Sequence, residues 1–250
     1  MAGIVAGLRP YVLGLAGIAV LTAGWAVVAA AELLDGVPPP LEVFSALGEQ
    51  LTGAELWRAT GHTVAVTASA TAIATVIGVL VGAAIGMSAM MDRLLGSTIN
   101  TLRFVPPVAL IPVVLLIMGF GSGSEIVVGT FAALWPVLLN VAAASREIKS
   151  RFEDMTRIQR LGPVRKLFSV YVPGTVAATI TGVRVAAALA LILVVAIEML
   201  AVPAGLGHQV RFAGNALQLP TMYAYIVWTG CVGLLLNSVL QATERYLRRP

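Results

Sequence analysis

The gaps between charged residues in this 250-residue chain are as long as a lipid bilayer is thick. A helix needs about 20 apolar residues to cross a hydrocarbon layer of roughly 30 Å at 1.5 Å per residue. Uncharged runs cover 10–31, 63–91, 104–124, 126–145 and 212–243, and 167–202 is interrupted only by Arg184 and Glu198. Read as one crossing each, they predict an all-α membrane protein with six transmembrane helices near 10–31, 62–90, 104–120, 125–145, 176–200 and 221–243. Pro106, Pro107 and Pro112 crowd the start of the third. The first is too long for a cleavable signal and has no small-x-small site followed by a polar domain.

Charged residues make up 11% of the chain and apolar ones 58%, where about 25% charge is usual for a soluble domain. A water-exposed globule and a disordered chain are both excluded on that ground. The lone Cys231 removes any disulfide framework or thiolate metal cluster.

Orientation follows from the basic residues. With the N-terminus in the cytoplasm, the inner segments hold Arg9, Arg93, Arg103, Arg245, Arg248, Arg249 and the cluster Arg146, Lys149, Arg151, Arg157, Arg160, Arg165 and Lys166. The outer segments hold only Arg58 and Arg211, while Glu32, Asp35, Glu42, Glu49 and Glu55 share the first outer loop. Both termini are then cytoplasmic. The basic balance reflects topology and not nucleic-acid binding, which would want a soluble basic face.

Between the spans, Val43, Leu47, Leu51 and Leu56 follow Pro38-Pro39-Pro40 at roughly helical spacing and predict a short interfacial helix within 32–61. Residues 121–125 read as a tight outer turn, and 203–220, with Gly205, Gly207 and Gly214, as a second outer connection. The segment 146–173 is the sizeable cytoplasmic feature. Phe152, Met155 and Ile158 share one side of 151–161, Gly162-Pro163 breaks that helix, and Val164, Leu167, Phe168 and Tyr171 repeat at helical spacing up to Pro173. This predicts two short helices at a Gly-Pro elbow. They either lie on anionic lipid or dock a soluble partner.

Several separated motifs resemble the permease subunits of ABC importers of the nitrate/sulfonate/taurine branch. They are Leu102-Arg103-Phe104-Val105-Pro106-Pro107-Val108-Ala109-Leu110-Ile111-Pro112, Gly119-Phe120-Gly121 and Trp135-Pro136-Val137-Leu138-Leu139-Asn140. Gly182-Val183-Arg184-Val185-Ala186, Ala196-Ile197-Glu198-Met199 and Pro203-Ala204-Gly205-Leu206-Gly207 follow in order. The resemblance covers roughly residues 40–248 and implies one permease domain over 1–250 with the type I importer transmembrane fold, in a bacterial inner membrane. It implies no catalytic, metal or cofactor site on this chain. ATP and Mg would bind two cytoplasmic ATP-binding cassette subunits, and an extracytoplasmic solute-binding protein would dock on 32–61 and 203–220.

In that family the cytoplasmic knob is a coupling helix built on a Glu-Ala-Ala then Gly motif. Counting back from Pro173, those positions fall on Asp154-Met155-Thr156 and Arg160, and a shift to Glu153 or Gly162 does not restore the pattern. The resemblance thus assigns ATPase coupling to Asp154, Met155, Thr156, Arg160, Leu161, Gly162, Pro163, Phe168 and Pro173, altered in detail. The second permease is an identical copy or a different chain carrying the better-preserved motif. The altered motif favours the latter.

The residues agree on where energy comes from. A P-loop needs Gly-x-x-x-x-Gly-Lys-Ser/Thr, and the only lysines, Lys149 and Lys166, follow Ile148 and Arg165. Gradient-driven carriers place ionisable relays deep in the bundle, whereas Arg184 and Glu198 fall near the inner and outer ends of the fifth span, as interfacial anchors or gates.

Thr63, Thr67, Thr71 and Thr75 form a ladder of i, i+4 steps, continued on the same face by Gly78, Gly82 and Gly86. The hydroxyls either bond carbonyls four residues back or line a pathway. On the second reading Thr67, Thr71, Thr75 and Glu198 are the pathway residues. Asn140, Asn237 and Gln241 read as partners for bonds between helices, and His62 and His208 as solvated at the interface, too few for a metal site. A secondary carrier, and a non-conducting permease half that supports its partner, stay open beside the importer.

Overall fold

The computed structural model describes residues 2–31, 36–158 and 162–247. They form helices α1 (Ala2–Ala30), α2 (Pro40–Thr52), α3 (Ala54–Met87) and α4 (Ala89–Leu102), then a 3-10 turn (Pro107–Leu110) and α5 (Ile111–Met118). Next come α6 (Ser122–Ile158), α7 (Pro163–Lys166), a π-helical turn (Leu167–Tyr171), α8 (Val172–Leu200), α9 (Gly205–Asn215) and α10 (Leu219–Leu247). Contacts divide the chain into two compact units, one of Met1–Trp57 with Gln209–Trp228 and one of Arg58–His208 with Thr229–Pro250.

Among the described residues four helices are long and apolar enough to cross a membrane: Ala54–Met87, Ser122–Phe152, Leu167–Leu200 and Leu219–Arg245. The pair Ala89–Leu102 and Pro107–Met118 would be a fifth if it is one span, but its parts are bent by 86°. The straight helix expected over 104–120 does not form. Pro106 and Pro107 allow only a 3-10 turn, and α5 stops after eight residues at Gly119, whose φ of +78° ends it in the left-handed region. At 1.5 Å per residue α5 is about 12 Å long, too short to cross. Ala16–Ala30, in α1, is apolar and shorter than a span.

Sequence also misplaces the bends around 146–173. The stretch 151–158 is not a separate helix, because α6 continues to Ile158 without a break. Past the elbow, the Gly162 carbonyl accepts from Lys166 N–H, and Pro163 takes the first helical position, where its missing N–H costs nothing. Pro173 does not end this helix. It falls in the first turn of α8, directly after the π turn whose Leu167 carbonyl accepts from the Val172 N–H. A five-residue step of this kind lets the chain pass a residue that cannot donate.

The larger unit is held together by the absence of side chains. A Cβ on Gly78 would sit 2.9 Å from Val137 Cβ, one on Gly82 2.6 Å from the Leu138 carbonyl oxygen, and one on Gly86 would strike Ser145. On the other flank of α6, a Cβ on Gly182 of α8 would lie 2.9 Å from Val137 Cα. So α6 is threaded between two glycine-bearing faces. Ala70, Ala74, Ala133, Val137, Val141, Ala186 and Ala190 complete a core of small residues. In lipid no hydrophobic effect draws helices together, and close backbone contact of this kind supplies the attraction instead. A second cluster packs Ile111 against Val128, Ala132, Leu193, Ile197 and Val202.

In the smaller unit α2 buries Val43 and Ala46 against Ala224, with Trp25, Leu47 and Tyr223 around them. The predicted short helix within 32–61 is thus present, and Leu56 belongs to α3 beyond the break at Gly53. Trp25 Nε1 donates to the Pro38 carbonyl at 3.0 Å, Tyr225 donates its hydroxyl to Gln50 Oε1 at 3.0 Å, and Trp57 meets Trp228 edge to face at 5.4 Å.

Candidate functional site

A buried, hydrogen-bonded polar group in the larger unit is built on Glu198. This residue lies in the last turn of α8 and is fully buried. After Ala201 the chain turns through Pro203 and Ala204 and re-enters a helix at Gly205, whose φ is +86°. That conformation strains any residue with a Cβ, and a Cβ there would also run into the Glu198 carboxylate. Thr63 Oγ1 on α3 donates to Glu198 Oε1 at 2.7 Å and accepts from Leu206 N–H at 2.9 Å. Gly207 N–H donates to Glu198 Oε2 at 2.8 Å. The first N–H groups of a helix lack intrahelical partners. In α9 the Leu206 N–H is satisfied by the Thr63 hydroxyl and the Gly207 N–H by the Glu198 carboxylate, whose charge also suits the positive end of the helix dipole.

Beside this clamp, His62 Nε2 pairs with Glu125 Oε2 at 2.9 Å. The Glu125 side chain is fully buried and that of His62 is 25% exposed. One imidazole nitrogen of His62 and one oxygen of each carboxylate, Glu125 and Glu198, lie within 4.8 Å of one another. The group draws on three helices: His62 and Thr63 from α3, Glu125 from the first turn of α6, and Glu198 from α8.

The threonine ladder divides. Thr71 Oγ1 donates to the Thr67 carbonyl and Thr75 Oγ1 to the Thr71 carbonyl, both at 2.7 Å, which are the local bonds that sequence allows. Thr63 instead reaches Glu198, and Thr67 Oγ1 is buried without a partner. The helix that packs on Gly78, Gly82 and Gly86 is α6 of the same chain.

Arg184 pairs with Glu244 of α10 at 3.1 Å, and Thr181 donates to the other Glu244 oxygen at 3.2 Å. At the far end of α3, Arg146 on α6 meets Asp92 in the first turn of α4 at 2.5 Å. Asn140, expected to reach another helix, donates to the Pro136 carbonyl of its own helix at 2.7 Å. Gln241 accepts from Arg245 one turn on in α10, and Asn237 lines a cavity of about 210 Å³ with Arg184, Leu191, Gly233 and Leu240.

Of the residues expected to couple to an ATPase, Asp154, Met155 and Thr156 lie in the C-terminal turns of α6, while Arg160 and Leu161 fall outside the described residues. Gly162 directly precedes α7, which Pro163 opens, Phe168 lies in the π turn with 66% of its surface exposed, and Pro173 is the second residue of α8. Sequence reading had no role for Glu125 or Glu244, and it left His62 to solvent. In the sequence Glu125 and Glu244 mark only the ends of uncharged runs. An acid placed where a span begins, level with a histidine that begins another, was the available signal.

The family described as binding-protein-dependent transport system inner membrane component matches residues 74–249. The nitrate import permease protein NrtB of Leptolyngbya laminosa is 30% identical over 153 residues, 61% of this chain and 55% of that protein. The chain therefore spans about half the length of this relative. The taurine transport system permease protein TauC of Escherichia coli (strain K12) is 29% identical over 248 residues, 96% of this chain and 90% of that one. Among solved structures, a chain of the inward-facing MetNI methionine ABC transporter (CY5 native crystal form) superposes with a TM-score of 0.68 at 19% identity. It covers 78% of this chain and 97% of the other, and so shares its fold.

Proposed function

This chain belongs to the family of binding-protein-dependent transport system inner membrane components, and on that premise we propose that it is the permease subunit of an ATP-driven importer for a small anion. Nitrate and taurine, the solutes in the names of its relatives, define the class: a compact oxyanion or sulfonate. Aromatic vitamin precursors are the second substrate class. The subunit opens and closes a pathway, and ATP hydrolysis belongs to two cytoplasmic ATP-binding cassette subunits.

The observation that carries this reading is the exposed Phe168 on the turn between the end of α6 and the start of α8. An exposed phenylalanine flanked by Arg165 and Lys166, at the hinge between two span-length helices, suits a groove on a soluble partner. Movement of that partner would pass directly into both helices. Asp154, Met155, Thr156, Arg160, Leu161, Gly162, Pro163 and Pro173 complete the coupling segment on this reading. Six spans, cytoplasmic termini, a second permease of different sequence, and a solute-binding protein on the face bearing 32–61 and 203–220 belong to the same proposal.

Within the pathway reading, Thr67 is the favoured threonine, because its hydroxyl is unpartnered while those of Thr71 and Thr75 are satisfied locally. Glu198 then acts from behind, fixing the 205–207 turn. The test is reconstitution in liposomes with the ATPase that co-purifies. Uptake of nitrate or taurine that requires ATP supports the proposal. Uphill uptake by this chain alone would make it a secondary carrier and end it.

A further inference from the structure

We propose that His62, Glu125 and Glu198 form a binding site for a zinc-class divalent cation, which ties the ends of α3, α6 and α8 together.

Three observations support the site. The first is geometric. A tetrahedral zinc ion with bonds of about 2.0–2.2 Å places its ligands roughly 3.3–3.5 Å apart. His62 Nε2 already lies 2.9 and 3.3 Å from the two Glu125 oxygens, and all three donor atoms fall within 4.8 Å. Drawing the widest separation, at most 4.8 Å, in to about 3.4 Å is the scale of a side-chain rotation.

The second is charge. Glu125 and Glu198 are both fully buried, and isolated carboxylates in a low-dielectric interior are costly unless their charge is matched. The Thr63 hydroxyl and the Gly207 amide that donate to Glu198 are neutral and leave a lone pair on each oxygen. Two carboxylates and one neutral imidazole carry a charge that one divalent cation cancels. One imidazole nitrogen with carboxylate oxygens suits zinc. Calcium and magnesium ask for six or more oxygens.

The third is the surrounding shell. Thr63 and Gly207 fix the orientation of the Glu198 carboxylate, the part that outer-sphere partners play at metal sites. One turn further along the same face of α3, Thr67 Oγ1 is buried and unpartnered. The 25% exposure of the His62 side chain gives the ion its entry. The proposal is independent of what the protein transports.

The test uses the purified full chain in lipid nanodiscs, stripped with a chelator and titrated with Zn2+ alone. One ion per chain is expected, and X-ray absorption at the zinc edge should show imidazole nitrogen and oxygen donors without sulfur. His62→Ala and Glu125→Gln should each weaken binding by at least about tenfold, while His208→Ala leaves it unchanged. The absorption spectrum is read on the unaltered protein, so it stands even if a variant misfolds. Absence of stoichiometric binding, a sulfur donor, or wild-type affinity in both ligand variants would overturn the site.

Discussion

Thr63 and Glu198 lie 135 positions apart and are joined by a hydrogen bond of 2.7 Å between fully buried side chains. The same hydroxyl accepts from Leu206 N–H, so one oxygen links α3, α8 and the turn into α9. Each partner of that oxygen would be stranded by its removal.

Thr63→Val keeps the shape and deletes both bonds. Leaving a buried acceptor and a buried N–H unsatisfied costs about 1–3 kcal/mol each. The variant should unfold at a clearly lower temperature in detergent, and Thr63→Ser should restore most of the loss. A midpoint equal to that of the unaltered protein would show that the Glu198 clamp contributes nothing to stability.

The glycine face of α3 makes a sharper contrast. Gly82→Val must push α3 away from the Leu138 carbonyl and should abolish accumulation of folded protein. Gly61→Ala, on the same helix with open space around it, should be neutral or stabilising by up to about 1 kcal/mol. Folded yield in the membrane distinguishes them, and equal yields would refute close α3–α6 packing.

Phe168→Asp should leave membrane insertion intact while the ATPase dissociates or hydrolysis uncouples from uptake. The residue is 66% exposed, so the change disturbs little of the fold itself. Co-purification of the ATPase and ATP-dependent uptake are the two readings. Normal values for both would remove the π turn from the coupling surface.

Arg184→Gln takes a charged partner at 3.1 Å away from the Glu244 carboxylate, whose side chain is only 12% exposed. We expect a loss of about 1–3 kcal/mol. The double variant Arg184→Gln/Glu244→Gln should recover a good part of it, giving a coupling energy in a double-mutant cycle. Strict additivity would mean that the pair does not interact in solution.

Much of the helical frame is legible in the charge spacing, because lipid imposes a length that α3, α6, α8 and α10 must meet. The glycine face of α3 is legible too, since i, i+4 spacing alone decides which residues share a side. The failures have physical causes. Hydropathy does not separate a straight span from two pieces at 86°, and the prolines at 106 and 107 decide between them. The glycines of 203–220 read as loop, yet α9 forms from Gly205 because Thr63 and Glu198, far away in sequence, satisfy its first amide groups. The His62–Glu125 pair joins residues 63 positions apart, a pairing to which no local periodicity is sensitive.

The unbroken course of α6 has a mechanical consequence. Its 37 residues make a rod of about 55 Å, with Glu125 near one tip and Ile158 at the other. Pro136 is its internal joint, where the ladder loses one bond. A tug of a few ångströms at Ile158 therefore arrives beside His62 with little to absorb it on the way except that joint. On the coupling proposal, stiffness along this lever would set how faithfully a push at one of its ends is felt at the other.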